Sequence, residues 1–283
     1  VPSVTLLGQA LVSGLLAGGL YGLLGLGLSL SWGLLKLVNL AHFALAFLGA
    51  YLTYQLSHSF QLPAAASLLL ILPTFFAFGV ALHWLFKRFA VSEFGSLLVT
   101  FGVAVIVESL IQFFWTADFR RFETPWASSS FRVGPIFVPV LELAASVSAA
   151  FLAGLTWLWL SRTYVGKGLR AAAEDPQIAA AFGVDHRAQS YVLSGLCTAY
   201  AGVAGVFIAL ISTLAPSQIW AWLGVVFAVV IIGRLGNPLG ALIAGVLIGA
   251  SEGLAMAVIS PAWAPVVSFS ILIVLLLRQP KWL

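Results

Sequence analysis

The chain has 283 residues, 61% of them hydrophobic and only 8% charged, with a mean hydropathy of +1.09 and a formal net charge of +4. Soluble domains carry about 25% charged residues because their surfaces must stay wet, so this composition excludes an ordinary soluble fold and leaves lipid as the solvent of most of the outer surface. The charge is too small to point to nucleic acid, and the single cysteine, Cys197, excludes an intrachain disulfide and reads as a small buried hydrophobe.

A spanning helix takes roughly 20 apolar residues. The sequence predicts nine such segments, at 6–32, 41–56, 64–86, 95–116, 139–161, 190–211, 219–233, 240–259 and 266–278. The expected fold is all-α, a polytopic transmembrane bundle of 8–10 spans forming one domain over 1–283. The first run is long enough to be a span rather than a cleavable leader. Its length implies a tilt or an unwinding near Trp32 and Gly33. Gly14, Gly18 and Gly22 recur every fourth residue along it, making a stripe where a neighbouring backbone can approach closely. The second segment is short enough to be broken or re-entrant, and Asn39 and His42 lie at its start. Asn39 fits a helix cap there, and a place on a transport pathway is the other reading of both residues. Glu108 falls inside the fourth span; such a carboxyl is either hydrogen-bonded or in a wet cavity, or it takes part in the substrate path. Trp115 and Trp126 flank the loop that follows, as interfacial anchors do.

Arg162 to Gln189 is the longest hydrophilic stretch. Ala171 to Glu174 is helix-prone, Asp175 before Pro176 is a cap with proline in the first turn, and Gly183 closes an Ala-rich helix over 176–182. Two short helices joined by an Asp-Pro corner are more than a connector needs, and loops are where binding residues concentrate. Ile178 and Phe182, expected to be exposed, suit a groove on a partner. Beyond it, Gly195 and Gly202 share a face of the sixth span, and the seventh is again short. Gly245, Gly249 and Gly253 form a second glycine ladder in the eighth, which also carries Glu252. Glycine-rich helices in both halves suggest an inverted repeat. His58, His83 and His186 show no ligand spacing, so no metal site is expected.

Alternating the nine segments puts ten basic residues, Lys36, Lys87, Arg88, Arg162, Lys167, Arg170, Arg187, Arg234, Arg278 and Lys281, on one side. Arg120, Arg121 and Arg132, the remaining three of 13, fall on the other. The positive-inside rule makes the first side cytoplasmic, with the N-terminus outside and the C-terminus inside.

The hydrophilic stretch resembles the cytoplasmic coupling loop of ABC importer permeases of the branched-chain amino acid type. Gly166, Lys167, Leu169, Arg170, Ala171, Asp175, Pro176, Ala179, Gly183, Val184 and Asp185 match that pattern. Val38-Asn39-Leu40-Ala41-His42 with Leu48-Gly49-Ala50-Tyr51, the turn Gly233 to Ala241, and the basic end Leu277-Arg278-Gln279-Pro280 are similar to further signatures, in the same order. Two departures stand out: Phe43-Ala44 replaces a Gly-Glu pair, and Arg234 replaces a glycine. The resemblance implies that Gly168, Arg170, Glu174, Asp175, Pro176, Phe182 and Gly183 dock onto a separate ATPase subunit. Together with Glu108 and Glu252, it makes Asn39, His42, Phe43 and Asn237 the pathway candidates. It also implies two ATPase subunits that carry ATP and Mg, a second permease, identical or homologous, and an external solute-binding protein, in a bacterial inner membrane. This chain itself is expected to bind no cofactor. Branched-chain or hydrophobic amino acids are the expected cargo, with urea or short amides as the alternative. No phosphate-cradling Gly-x-x-x-x-Gly-Lys-Ser/Thr loop is present, so ATP hydrolysis falls to partner chains. An ion-coupled carrier is the rival of another class, and solitary glutamates without paired charges support it weakly. An intramembrane enzyme lacks its nucleophile-base or metal constellation.

Overall fold

The computed structural model describes residues 3–124 and 126–278; residues 279–283 of the expected basic end lie outside the described residues. Helix α1 (Val4–Leu35) starts at Ser3, whose hydroxyl accepts the Leu6 N–H at 3.2 Å, and ends where Lys36 turns left-handed at φ 56°. It runs unbroken through Trp32 and Gly33, so the expected unwinding there does not occur. Helices α2 (Ala41–Phe60), α3 (Ala64–Arg88), α4 (Glu93–Trp115) and α5 (Val140–Arg162) follow. The short α6 (Tyr164–Glu174) and α7 (Pro176–Ala181) precede α8 (His186–Ile211), α9 (Leu223–Ile232), α10 (Pro238–Val258) and α11 (Ala264–Arg278).

Six of these helices, α1, α3, α4, α5, α8 and α10, are long and apolar enough to cross a membrane, and the chain is an integral membrane protein. The second predicted span is one continuous helix of 20 residues, neither broken nor re-entrant. Its lower hydropathy is tolerable because protein rather than lipid surrounds it: Phe43, Phe47 and Tyr51 are all at most 2% exposed. The seventh is a composite. Helix α9 alone rises about 15 Å, and the 3-10 segment Pro216–Trp222 that leads into it adds about 14 Å. Together they approach the hydrocarbon thickness of roughly 30 Å.

The segment 117–138, expected only to connect two spans, also carries strands β1 (Ser130–Val133) and β2 (Ile136–Pro139), which pair as an antiparallel hairpin. Gly134 makes the turn at φ 63°. Gln9 of α1 pins β2 by accepting the Phe137 N–H and donating to its carbonyl, both at 2.8 Å.

The two glycine ladders face each other. Lipid offers helices no hydrophobic reason to associate, so they hold by close packing. Antiparallel α1 and α10 meet along Gly14, Gly18 and Gly22 on one side and Gly245, Gly249 and Gly253 on the other. A Cβ at Gly18 would lie 2.4 Å from the Gly245 carbonyl oxygen, and one at Gly249 only 2.3 Å from that of Gly14. The backbones are therefore in contact, close enough for Cα–H···O interactions. A second junction places α8 between α2 and α3, where a Cβ at Gly205 would fall 2.2 Å from the Ala46 carbonyl and one at Gly79 would meet that of Ser194 at 2.5 Å.

Helix direction alternates, so the loops segregate to two ends. Lys36, Arg170, Glu174 and Arg234 line one cavity, and Lys36 and Lys87 line another beside it, which defines a basic end. The hairpin lies at the opposite end, where Arg120 and Leu214 exchange backbone hydrogen bonds at 2.9 and 2.7 Å. Gly18→Leu and Gly249→Leu should each abolish monodisperse protein in detergent, since their side chains displace backbone rather than a flexible neighbour. Gly154→Ala, on a face of α5 with nothing within 4 Å, should leave thermal stability unchanged or raise it by about 1 kcal/mol. Thermal unfolding followed by size-exclusion chromatography separates the two outcomes.

Candidate functional site

The stretch between α5 and α8 is built as two capped helices at the basic end. Thr163 caps α6, its hydroxyl accepting the Gly166 N–H at 3.0 Å and donating to the Trp159 carbonyl at 2.7 Å, so α6 turns directly off the last residues of α5. Gly166 is pressed onto Leu160, where a Cβ would come within 2.4 Å of the Leu160 Cα. At the corner, one Asp175 carboxylate oxygen accepts the N–H groups of Gln177 and Ile178 at 2.9 and 3.0 Å. Pro176 occupies the first helical turn, where its missing N–H leaves nothing unsatisfied. Gly183 then takes φ 77°, a conformation that strains any side-chain-bearing residue.

This frame presents a compact apolar surface to water. Phe182 is 85% exposed and Ile178 58%. Arg170, Glu174, Pro176 and Gly183 are also exposed, and Asp175 is half-buried at the corner. Gly168 is the exception among the expected docking residues. It is buried, and a Cβ there would meet Val184 Cγ1 at 2.9 Å, so it packs α6 onto the chain entering α8 and offers no surface. On the bundle side, α6 borders the turn 233–238 across a polar cavity of about 630 Å³ that Lys36, Arg170, Glu174 and Arg234 line.

The six expected pathway residues do not converge on one point. Phe43 and Glu108 lie along an aromatic seam between α1, α2, α4 and α9. Phe227 stacks on Phe43 with ring centroids 6.4 Å apart and leans on Trp32 at 5.6 Å; Trp220 meets Phe101 at 5.5 Å. Half-buried Glu108 closes the seam by accepting the Trp220 indole N–H at 2.9 Å and the Gln112 amide at 3.4 Å. Asn39 and His42 sit behind it, 6% and 1% exposed. Asn39 does not cap α2 with its side chain: the cap position falls on Leu40, and the Asn39 main-chain carbonyl accepts the His42 N–H at 3.3 Å, while Ser96 and Thr100 of α4 accept the N–H groups of Val38 and Leu40 at 3.2 and 3.0 Å. Its Oδ1 and the Nε2 of His42 are left buried without partners.

Asn237 and Glu252 lie apart from this seam. Asn237 caps α10 by accepting the Gly240 N–H at 3.1 Å, a structural role at the basic end. Glu252, 5% exposed, accepts hydrogen bonds from Tyr21 at 2.9 Å and from Ser268, which joins α1, α10 and α11. It also borders a cavity of about 410 Å³ that Gln9, Ser13 and Glu142 share. Among the described residues neither Glu108 nor Glu252 has a basic partner; hydroxyl, indole and amide donors serve instead. Trp220 and Tyr21 were missed in the sequence because their partners stand 112 and 231 positions away.

A family model described as the permease component of the branched-chain amino acid transport system matches residues 10–276. The branched-chain amino acid permease LivH of Salmonella typhimurium is 23% identical, over 96% of this chain and 93% of its own length. BraD of Pseudomonas aeruginosa, named as a permease of the same kind, is 24% identical over 96% and 94%. A probable LivH of Methanocaldococcus jannaschii is 30% identical over 91% and 86%. No solved structure matches.

The corner makes a local prediction. Asp175→Ala should remove about 1 kcal/mol of capping. Amide exchange at Gln177 and Ile178 should then accelerate about fivefold, with the unfolding midpoint of the bundle unchanged.

Proposed function

The chain belongs to the family of branched-chain amino acid transport system permease components, and from that premise we propose that it is the membrane subunit of an ATP-driven importer whose cargo is a branched-chain or other hydrophobic amino acid. In this reading the basic end faces the cytoplasm, as the positive-inside rule requires, which sets the N-terminus outside and the C-terminus inside a bacterial inner membrane. The chain supplies the path and no ATP site; ATP and Mg bind to two separate ATPase subunits. An external solute-binding protein delivers cargo at the hairpin end.

The observation that carries this reading is the α6–α7 corner. A large phenyl ring held almost fully in water by a capped, glycine-terminated turn is costly to leave bare, and it suits insertion into a groove on a partner. The same corner is continuous with α5 through Thr163 and borders the ends of α1 and α10 through the cavity at Arg170 and Arg234. A push on α7 is therefore delivered to three spans at once. Packed interfaces that switch between discrete arrangements, rather than deforming gradually, are how small movements at an effector site reach a distant path.

The aromatic seam supports the location of that path. An ionisable group at membrane depth faces a wet cavity or protein rather than lipid. In this reading half-buried Glu108 and exposed Phe101 border the path, and a second permease, identical or related, completes its wall. Phenyl and indole walls suit an apolar side chain.

Phe182→Ala tests the coupling role. ATPase association should weaken at least tenfold, a loss typical of an aromatic anchor. ATP-driven uptake should fall in parallel while the protein remains in the membrane. Unchanged association together with unchanged uptake overturns it.

A further inference from the structure

A second pocket at the basic end shares Lys36 with the cavity beside α6 but is lined by no residue of α6 or α7. It occupies about 460 Å³ between the ends of α1 and α3 and the start of α4. Lys36 and Lys87 stand at its rim, and His83 contributes to its lining. His83 is 2% exposed, its ring is edge-on to Tyr191 at 4.9 Å, and neither ring nitrogen has a hydrogen-bond partner. A buried imidazole without a partner is unusual, because burial without a hydrogen bond costs free energy. The pocket also holds Glu93, whose carboxylate accepts the Trp32 indole N–H at 3.3 Å, so the charged residues in its lining sum to +1. Arg88 is exposed beside it.

The surroundings identify the solvent. Helices α3 and α4 are only 28% and 22% buried over their most apolar stretches, and their outer faces carry bare side chains such as Leu69 and Phe113, each 79% exposed. The pocket opens at the ends of these two lipid-facing helices. Trp84, Phe89 and Phe94, exposed by 55%, 69% and 71%, are placed where aromatic residues anchor at the membrane interface. A basic pocket between helix ends at headgroup depth, with apolar side chains around it, fits a molecule that has a phosphate at one end and acyl chains at the other.

We propose that the pocket lined by Lys36, His83 and Lys87 binds the phosphate of an anionic phospholipid, whose acyl chains run down the outer faces of α3 and α4. The two ammonium groups flank the phosphate, and His83 gives it a polar floor. This site needs only that the basic end lie at a membrane surface, so it does not depend on the coupling role of α7. Its failure and that of the transport reading are separable.

The test uses the full-length protein, delipidated in detergent, and native mass spectrometry against phosphatidylglycerol, phosphatidylethanolamine and inorganic phosphate. Phosphatidylglycerol should be retained at least about tenfold more tightly than phosphatidylethanolamine, and inorganic phosphate should neither bind alone nor displace it. The double variant Lys36→Gln/Lys87→Gln should lose that preference, whereas Lys87→Arg, which keeps the charge, should retain it. Equal retention of the two lipids by the unaltered protein overturns the proposal, and so does undiminished phosphatidylglycerol binding in the double variant. Displacement by inorganic phosphate identifies a free-anion site and equally contradicts a lipid occupant. Because both lysines are exposed, the double variant should elute as the unaltered protein does. Should it not, loss of the preference in the single variant Lys87→Gln, with its recovery in Lys87→Arg, supports the site, and its persistence in Lys87→Gln refutes it.

Discussion

The structure depends first on the contact between α1 and α10. In lipid, every backbone group must be satisfied within the protein, and no hydrophobic force draws one helix to another. What remains is dispersion, and that requires closeness. Six glycines on two antiparallel helices supply it, and for five of them an opposing carbonyl oxygen lies only 2.3–2.6 Å from where a Cβ would stand. With α1 fixed, other elements take their places around it. Gly33 lies against the backbone of Gly236, where a Cβ would come within 2.1 Å of the amide nitrogen, and Ser29 of α1 accepts the Gly236 N–H at 3.1 Å. The same turn that caps α10 is thereby tied to the helix it packs against.

The second constraint is polar. The break between α1 and α2 frees backbone N–H groups inside the bundle, and α4 meets them with Ser96 and Thr100. Glu108 and Glu252 are held by indole and hydroxyl donors rather than by lysine or arginine. A buried ion pair that loses one partner leaves a costly charge behind; neutral donors avoid that hazard in helices expected to shift during transport. Asn39 and His42 differ, keeping unmatched polar atoms in the core beside the Phe43–Phe227 stack. His42 stands edge-on to Phe43 with ring centroids 6.1 Å apart.

Much of this was legible in the sequence, for physical reasons that can be named. Membrane helices announce themselves by composition, and all nine segments correspond to helical elements. The glycine spacing identified close-packing faces but not their partners, because a ladder specifies a shape and not its mate. The Asp-Pro corner and Gly183 were readable because capping and left-handed turns are local chemistry. Gly168 was misassigned to the surface, since its neighbour Val184 comes close only after the chain has turned twice. Asn39 reads as a cap because it is a polar residue just before a predicted helix, but α2 starts one residue later than that cap requires, with Leu40 at the cap position. The hairpin carried a faint signal, Phe131 and Val133 alternating before Gly134-Pro135, in a stretch where apolar runs draw the eye elsewhere.

Transport driven by separate ATPase subunits requires the α6–α7 corner to lie in the cytoplasm, where they can grip it. Cys197 is 2% exposed and silent to aqueous reagents, so a single added cysteine reports alone. Glu174→Cys should react with a membrane-impermeant maleimide in inside-out vesicles and stay unlabelled in intact cells, with protection when the ATPase subunits are present. Labelling in intact cells would place the corner outside and contradict the account.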